Sequence, residues 1–254
     1  MPDFGDGTKP LSPGGYLWTE TSMSEQPSLD GPRLAPVGGG RPKQLVLLLH
    51  GVGADGNDLI GLAPYFQRVL PEALFVSPNA PERYDMAPFG HQWFSLRDFS
   101  MEARESGVLT AAPILNRFID EALAAAGLAE KNLVLIGFSQ GTMMALHVGL
   151  RRERPLAGII GYSGMLIGPE QLTAEIRSRP PVLLTHGESD QVLPVQALGQ
   201  AAKVLEDLGV PARAVRRPGL GHGIDEDCVK LGMLFLAEVF GIPLGDIATE
   251  NQLA

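Results

Sequence analysis

Cysteine is the scarcest residue of this chain, with only Cys228 among 254 residues. A lone cysteine excludes an internal disulfide, and no cluster of Cys and His has the spacing of a zinc site. We therefore expect no structural metal ion, and the near absence of cysteine favours a cytoplasmic location. Cys228 falls in a helical stretch near the end of the chain, where a small packing residue is the simplest interpretation.

Positive charge is also in short supply, since 20 Lys and Arg face 29 Asp and Glu, for a formal net charge of −9. Nucleic acids and anionic membrane surfaces reward clustered basic residues, so neither is expected as the main partner. No apolar run approaches the length of a membrane span, and the N-terminus lacks the basic and apolar regions of a signal peptide. We expect a small-molecule partner, no stable membrane insertion, and a monomer or homodimer.

The chain divides by composition into three parts. Residues 1–41 are rich in Gly, Pro and Ser with little apolar periodicity, which predicts a flexible N-terminal arm. Met23 offers an alternative start within it. Residues 42–241 have the texture of one folded domain, and 242–254 form a C-terminal tail.

Strands and helices alternate through the folded part. The predicted strands are 44–49, 73–76, 133–136, 156–161, 181–184 and 212–216, and the predicted helices are 58–70, 108–128, 140–150, 194–208 and 224–239. Asn57 or Asp58 is expected to cap the first helix, and Pro64 predicts a kink or two short pieces there. Such alternation predicts an α/β fold with a mostly parallel sheet, helices on both faces, and a site at the carboxyl ends of the strands.

Ser139 lies in the stretch "LIGFSQGTMM", which contains Gly-x-Ser-x-Gly. The pattern alone is weak evidence, because 31 glycines make chance matches common. Here, however, a short apolar strand precedes the serine and a helix-forming run follows it. A strand, a tight glycine-flanked turn and a helix are the three parts of a nucleophile elbow. Ser139 is therefore the candidate nucleophile.

A serine nucleophile needs a histidine base and an acid that orients it. Of the five histidines, His222 lies between glycines after the last strand, where α/β-hydrolases hold their base. Asp190 follows the preceding strand and completes the order Ser, Asp, His, whereas Asp225 fits better as a first-turn helix acid. Other roles are expected for the remaining histidines: packing in a helix for His147, local turn contacts for His50 and His186, and a substrate contact for His91.

The oxyanion of such a reaction needs backbone donors. The amide of Gln140, directly after Ser139, is one candidate, and the amide of Val52 in the glycine-rich loop after the first strand is the other. A second motif, Gly161-Tyr-Ser163-Gly164, also follows a strand but lacks the second glycine. We expect Ser163 only to line the site.

Five blocks of sequence together resemble the phospholipase/carboxylesterase family of α/β-hydrolases, which includes acyl-protein thioesterases. They are "LLLHGVGADGNDL", "GHQWFSL", "IGFSQGTMMAL", "LLTHGESDQVLP" and "GLGHGI", and the likeness runs from about residue 43 to 241. The resemblance implies an α/β-hydrolase fold without a large cap domain, the catalytic set Ser139, Asp190 and His222, and oxyanion donors at Val52 and Gln140. It also implies substrate contacts by Trp93 and Phe94, an open, shallow site beneath the long loop 78–106, and no cofactor.

These observations predict a serine carboxylesterase acting on short- to medium-chain esters. An acyl-protein thioesterase or lysophospholipase is the alternative, since it shares the catalytic set and differs in the acyl chain it accommodates. A peptidase on this fold usually carries an additional domain, for which the chain has little room. A non-catalytic binding module of the same fold typically lacks a member of the catalytic set, and all three are present here.

Overall fold

The computed structural model describes residues 29–243, which form a central sheet covered by helices on both faces. The strands are β1 (Arg33–Leu34), β2 (Gln44–Leu49), β3 (Ala73–Val76), β4 (Glu82–Arg83), β5 (His91–Gln92), β6 (Leu133–Phe138), β7 (Gly158–Tyr162), β8 (Val182–Gly187) and β9 (Ala212–Arg217). The helices are α1 (Gly56–Ile60), α2 (Ala63–Gln67), α3 (Met101–Ala126), α4 (Gln140–Gly149), α5 (Pro169–Glu175), α6 (Gln196–Asp207) and α7 (Glu226–Phe240), with a 3₁₀ turn at Glu130–Asn132.

The main sheet has seven strands in the order β1-β3-β2-β6-β7-β8-β9. All neighbouring pairs are parallel except β1 with β3. Because parallel strands end at the same edge, the segments that follow β2, β6, β7 and β8 converge there. The predicted mostly parallel α/β-hydrolase sheet is confirmed.

Successive side chains of the central strands point to opposite faces of the sheet and pack in two separate hydrophobic cores. In β2, Leu45, Leu47 and Leu49 belong to the core that includes residues of α3, α4 and α6, and Val46 and Leu48 belong to the core that includes residues of α1, α2 and α7. A strand buried on both faces has no polar alternation, which is why β2 reads as a continuous apolar run. The limits predicted for β2 and β3 match the structure.

The predicted N-terminal arm is too long by at least a dozen residues. Leu29 is buried, and Arg33 and Leu34 pair with Val76 and Phe75 at the edge of the sheet. This strand satisfies backbone groups of β3 but contributes only two residues, too few for a visible apolar period. Residues 1–28, the rest of the arm, and 244–254, most of the predicted tail, lie outside the described residues.

Helix α3 begins seven residues before its predicted start. Ser100 caps it by accepting a hydrogen bond from the Ala103 amide at 3.2 Å, and its first two turns are polar, so they lack the apolar stripe seen from Val108 onward. The long loop therefore ends near residue 100 and contains the small β4–β5 ribbon.

Two further local predictions are corrected or refined. The predicted helix 58–70 is two short helices, α1 and α2, as Pro64 suggested, and Asp55 rather than Asn57 or Asp58 caps the first of them. The short helix α5 was not predicted at all. Within residues 29–243, no helix combines the length and apolarity needed to cross a bilayer.

Candidate active site

Ser139 occupies a strained turn between β6 and α4. Its backbone has φ 53° and ψ −115°, a conformation that L-residues rarely adopt. A Cβ on Gly137 would lie 2.4 Å from the backbone of Gly141, and a Cβ on Gly141 would lie 1.8 Å from the Leu49 carbonyl oxygen. The two flanking glycines are therefore required by contact between backbones, and the turn presents Ser139 at the carboxyl edge of the sheet.

The structure brings the three predicted side chains into one line of hydrogen bonds. His222 Nε2 lies 3.0 Å from Ser139 Oγ, and His222 Nδ1 lies 2.7 Å from Asp190 Oδ2. A carboxylate only accepts, so Nδ1 carries the proton and Nε2 is free to accept the Ser139 hydroxyl proton. This is the tautomer that a general base requires.

Asp190 is held as an anion in spite of its burial. Its side chain is fully buried, which by itself raises the pKa of the carboxyl group. Hydrogen bonds from His222 and from the Leu193 and Val192 amides outweigh this effect, and the net pKa is lowered. The carboxylate is therefore available to stabilise an imidazolium on His222.

Asp225, the other acid near His222, has a different role. It caps α7 by accepting from the Cys228 amide at 2.8 Å and pairs with Arg217 at 3.0 Å. Burial raises the pKa of Asp225, but the Arg217 guanidinium and the Cys228 amide lower it by more, so that the net pKa is about 2. The expectation that Asp225 is a helix acid agrees with this geometry.

The loop after β2 approaches Ser139 through its backbone. A Cβ on Gly51 would lie 3.4 Å from the Ser139 Cβ and 3.1 Å from the Phe138 ring, so this position has room only for a small residue. His50 Nε2 accepts from the Ala80 amide at 2.9 Å, so its Nδ1 carries the proton and donates to the Gly51 carbonyl at 2.7 Å. Burial lowers the pKa of His50 and favours this neutral form.

The hydrogen bond from His50 Nδ1 to the Gly51 carbonyl orients the peptide between Gly51 and Val52. In a trans peptide the N–H points opposite to the carbonyl, so pinning the Gly51 carbonyl also fixes the direction of the Val52 N–H. The sequence predicted a local turn contact for His50, and this contact is of that kind.

Trp93 and Phe94 are held beneath the site by the side chain of Gln140. Its Oε1 accepts from the Trp93 amide at 2.9 Å, and its Nε2 donates to the Phe94 carbonyl at 2.7 Å. The Trp93 indole N–H donates to the His50 carbonyl at 3.0 Å, and the two aromatic side chains are 1% and 3% exposed. The indole contact makes Trp93 a support of the loop after β2, a role that its sequence pattern did not reveal.

Ser163 contributes to the site through the loop that carries His222. It is buried, has φ 47°, and donates from Oγ to the Gly223 carbonyl at 3.2 Å. The expectation that Ser163 only lines the site therefore missed a contact. The missed clue is its position directly after β7, the neighbour of β6 in the sheet.

Two of the other histidines, His147 and His91, have contacts away from the Ser139–His222–Asp190 line. His147 is buried in α4, where burial lowers its pKa to about 4, and His91 contacts the Ala80 carbonyl at 2.8 Å through Nδ1. Among residues 29–243, no group of three or more His, Cys, Asp or Glu side chains is arranged to hold a metal ion.

Comparison with known proteins places this geometry in a family. The sequence profile described as Phospholipase/Carboxylesterase matches residues 37–239, most of the chain. The chain belongs to the phospholipase/carboxylesterase family. The chain is therefore a hydrolase of the serine-hydrolase fold, as the sequence predicted.

Individual relatives of this family member carry esterase and thioesterase names. The crystal structure of esterase PE8 is 45% identical, with a TM-score of 0.81 over 84% of this chain and 99% of that one. Acyl-protein thioesterase 1 of Schizosaccharomyces pombe is 28% identical over 208 residues, 78% of this chain and 92% of that protein. The Oryza sativa subsp. japonica protein named "Probable carboxylesterase Os04g0669500" is 30% identical over 199 residues, 74% of each chain.

Proposed function

We propose that this member of the family is a serine carboxylesterase that hydrolyses short- to medium-chain carboxylic esters through an acyl-enzyme. The observation that carries the proposal is the line Ser139–His222–Asp190, with 3.0 and 2.7 Å between its polar atoms and a strained backbone at the serine. Each residue of the line then has a distinct chemical task.

Acylation begins when His222 Nε2 takes the Ser139 hydroxyl proton and the resulting alkoxide attacks the ester carbonyl. The carbonyl π electrons move onto oxygen, and the amides of Val52 and Gln140 stabilise the oxyanion. The Asp190 carboxylate stabilises the imidazolium through Nδ1. His222 then gives its proton to the leaving alcohol as the C–O bond breaks, which leaves an ester on Ser139.

Deacylation repeats the same proton transfers with water. His222 removes a proton from water, the hydroxide attacks the acyl-enzyme, and His222 returns the proton to Ser139 as the carboxylic acid leaves. Every proton and electron pair is accounted for by these groups, and no step calls for a cofactor.

Replacing Ser139 tests the proposal directly. Ser139→Ala should lower kcat toward p-nitrophenyl butyrate on the order of 10⁵-fold, as expected when a nucleophile that acts with its base as a unit is removed. A fluorophosphonate should label the wild type and not the variant. Ser163→Ala is the control, because Ser163, like Ser139, is a buried serine with positive φ directly after a strand, and this variant should still be labelled at Ser139.

Two outcomes would contradict the proposal. Wild-type hydrolysis by Ser139→Ala would remove Ser139 as nucleophile. Failure of the wild type to react with the fluorophosphonate would instead favour a non-catalytic binding module.

A long-chain acyl specificity is the second candidate. It is supported by the similarity to the S. pombe acyl-protein thioesterase 1 and by exposed apolar side chains near the site, with Met86 57%, Phe89 70% and Val192 65% exposed. The first two lie on the segment that packs against Gly53 through Tyr84 and Gly90, and Val192 follows Asp190. Rates with p-nitrophenyl esters from C2 to C16 decide the matter: a maximum at C4–C8 supports the carboxylesterase, and a maximum at C12–C16 supports the alternative.

Other expectations stay predictions. They are direct substrate contacts by Trp93 and Phe94, an open site, a monomer or homodimer, a cytoplasmic location, and one catalytic domain that ends near residue 241.

A further inference from the structure

A second histidine lies against Asp190. His186, the penultimate residue of β8, is 1% exposed, and its Nε2 lies 2.9 Å from the Leu193 carbonyl oxygen and 3.2 Å from Oδ2 of Asp190. A backbone carbonyl only accepts hydrogen bonds, so Nε2 carries the proton. This N–H donates its hydrogen bond to the carbonyl, and it also lies beside the carboxylate.

The opposite nitrogen of this ring has no partner. Nδ1 of His186 is buried without a hydrogen bond in the part of the chain that the structure describes. A polar atom buried in this way costs stability, and an aliphatic side chain of similar size would avoid the cost. Packing alone therefore does not explain a histidine here, whereas the donor on Nε2 does.

Three N–H groups donate hydrogen bonds to the carboxylate, and the His186 Nε2–H lies beside it. Oδ1 accepts from the amides of Val192 and Leu193 at 2.8 and 2.9 Å, and Oδ2 faces His222 Nδ1 at 2.7 Å and His186 Nε2 at 3.2 Å. The amides hold one oxygen at the base of the loop, and the two histidines set the direction of the other. Rotation of the carboxylate away from His222 would break contacts with all four groups.

We propose that His186 is a positioning residue for the reaction, which holds Asp190 toward His222 and draws part of the negative charge of Oδ2 away from it. The inference rests on the proposed function, because it assigns His186 a role relative to Ser139, His222 and Asp190. His186 itself does not reach the reacting atoms. It acts through Asp190, directly and through Leu193, whose carbonyl it holds and whose amide binds Oδ1.

The test compares two variants at position 186. His186→Leu removes the donor, and His186→Gln places an amide N–H near the position of Nε2. His186→Leu should lower kcat about 10- to 100-fold with KM within about 3-fold, because a displaced orienting group affects the bound transition state more than substrate binding. His186→Gln should recover kcat to within about 5-fold of the wild type, since the lost donor is restored.

The pH profile separates positioning from simple loss of structure. In His186→Leu the acid limb of kcat/KM should move to higher pH by about half a unit, because Oδ2 keeps more of its charge for the His222 imidazolium. His147→Leu is the matched control: it also replaces a buried histidine whose Nδ1 lacks a partner, but one that lies beside residues of α3 and α5. Its profile should coincide with that of the wild type.

Each alternative result has a defined meaning. Three results would overturn the inference. The first is a His186→Leu protein with the kcat and the acid limb of the wild type. The others are a shift of the acid limb to lower pH in that variant and an equal loss of kcat in the Leu and Gln variants. If His186→Leu does not fold, His186→Asn replaces it, since its shorter amide does not reach Leu193. An active Ser139→Ala protein would overturn the proposed function instead, so the two failures are distinguishable.

Discussion

The side chain of Gln140 offers the sharpest test of how the site is built. It is fully buried, and it pairs with the Trp93 N–H and the Phe94 carbonyl at 2.9 and 2.7 Å. Leucine has nearly the same volume, so Gln140→Leu removes both hydrogen bonds without opening a large cavity. The backbone amide of residue 140, the proposed oxyanion donor, is retained.

The expected loss of stability follows from the two backbone groups left without partners. An unsatisfied buried donor or acceptor costs about 1–3 kcal/mol, so the pair costs about 2–6 kcal/mol in the free energy of unfolding. The gain in apolar burial from leucine offsets part of this, and we expect a net loss of about 3 kcal/mol.

Urea denaturation followed by tryptophan fluorescence measures the difference. The control is Gln67→Leu, which removes one exposed hydrogen bond, to the Ala35 carbonyl at 2.7 Å, and should change stability by less than about 1 kcal/mol. A Gln140→Leu protein that unfolds at the same urea concentration as Gln67→Leu would refute the role given to this side chain. Its kcat should also fall, since Trp93 supports the His50 carbonyl.

Two further predictions concern backbone contact and pH. Gly141→Ala should prevent stable folding, because its Cβ would lie 1.8 Å from the Leu49 carbonyl oxygen. Gly199→Ala is the control, since Gly199 lies on an exposed part of α6 and a Cβ there would have nothing within 4 Å. This second variant should be more stable than the wild type by about 0.5–1 kcal/mol, with an unchanged kcat. Thermal melts of both proteins measure this, and a folded Gly141→Ala would contradict it. Asp225 has a folded pKa of about 2, below its unfolded value, so its contribution to stability is present above about pH 4 and is lost as the pH falls toward 2. Asp225→Asn should flatten the stability profile in that window, and an unchanged slope would contradict the assignment.

The pattern of apolar residues correctly predicted the limits of those strands that are buried along their whole length. Strands β2 and β3 lie within buried layers, so their apolar runs mark their limits. Helix α3 shows its apolar stripe only where it packs on the sheet, so the polar turns before Val108 were not recognised. Strand β1 has two residues, and its position depends on pairing with β3, which no local pattern encodes.

Among the residues of the candidate site, too, some were predicted from the sequence and others were found only in the structure. Ser139, Asp190 and His222 were identified because each follows a predicted strand, and parallel strands bring such positions to one edge. The contacts of Gln140 with residues 93–94, and of His186 with Asp190, depend on side-chain direction within the folded chain.

By itself, the sequence determined the α/β class, the family, and the three residues proposed for catalysis, because order along the chain and strand-end position carry that information. Only the tertiary structure decided the distances, the histidine tautomers and the supporting contacts. These depend on strand register and on the path of loops across up to 83 residues of sequence, as between Ser139 and His222. Hydrogen bonds form over a few tenths of an ångström, and that precision arises only when both cores are packed.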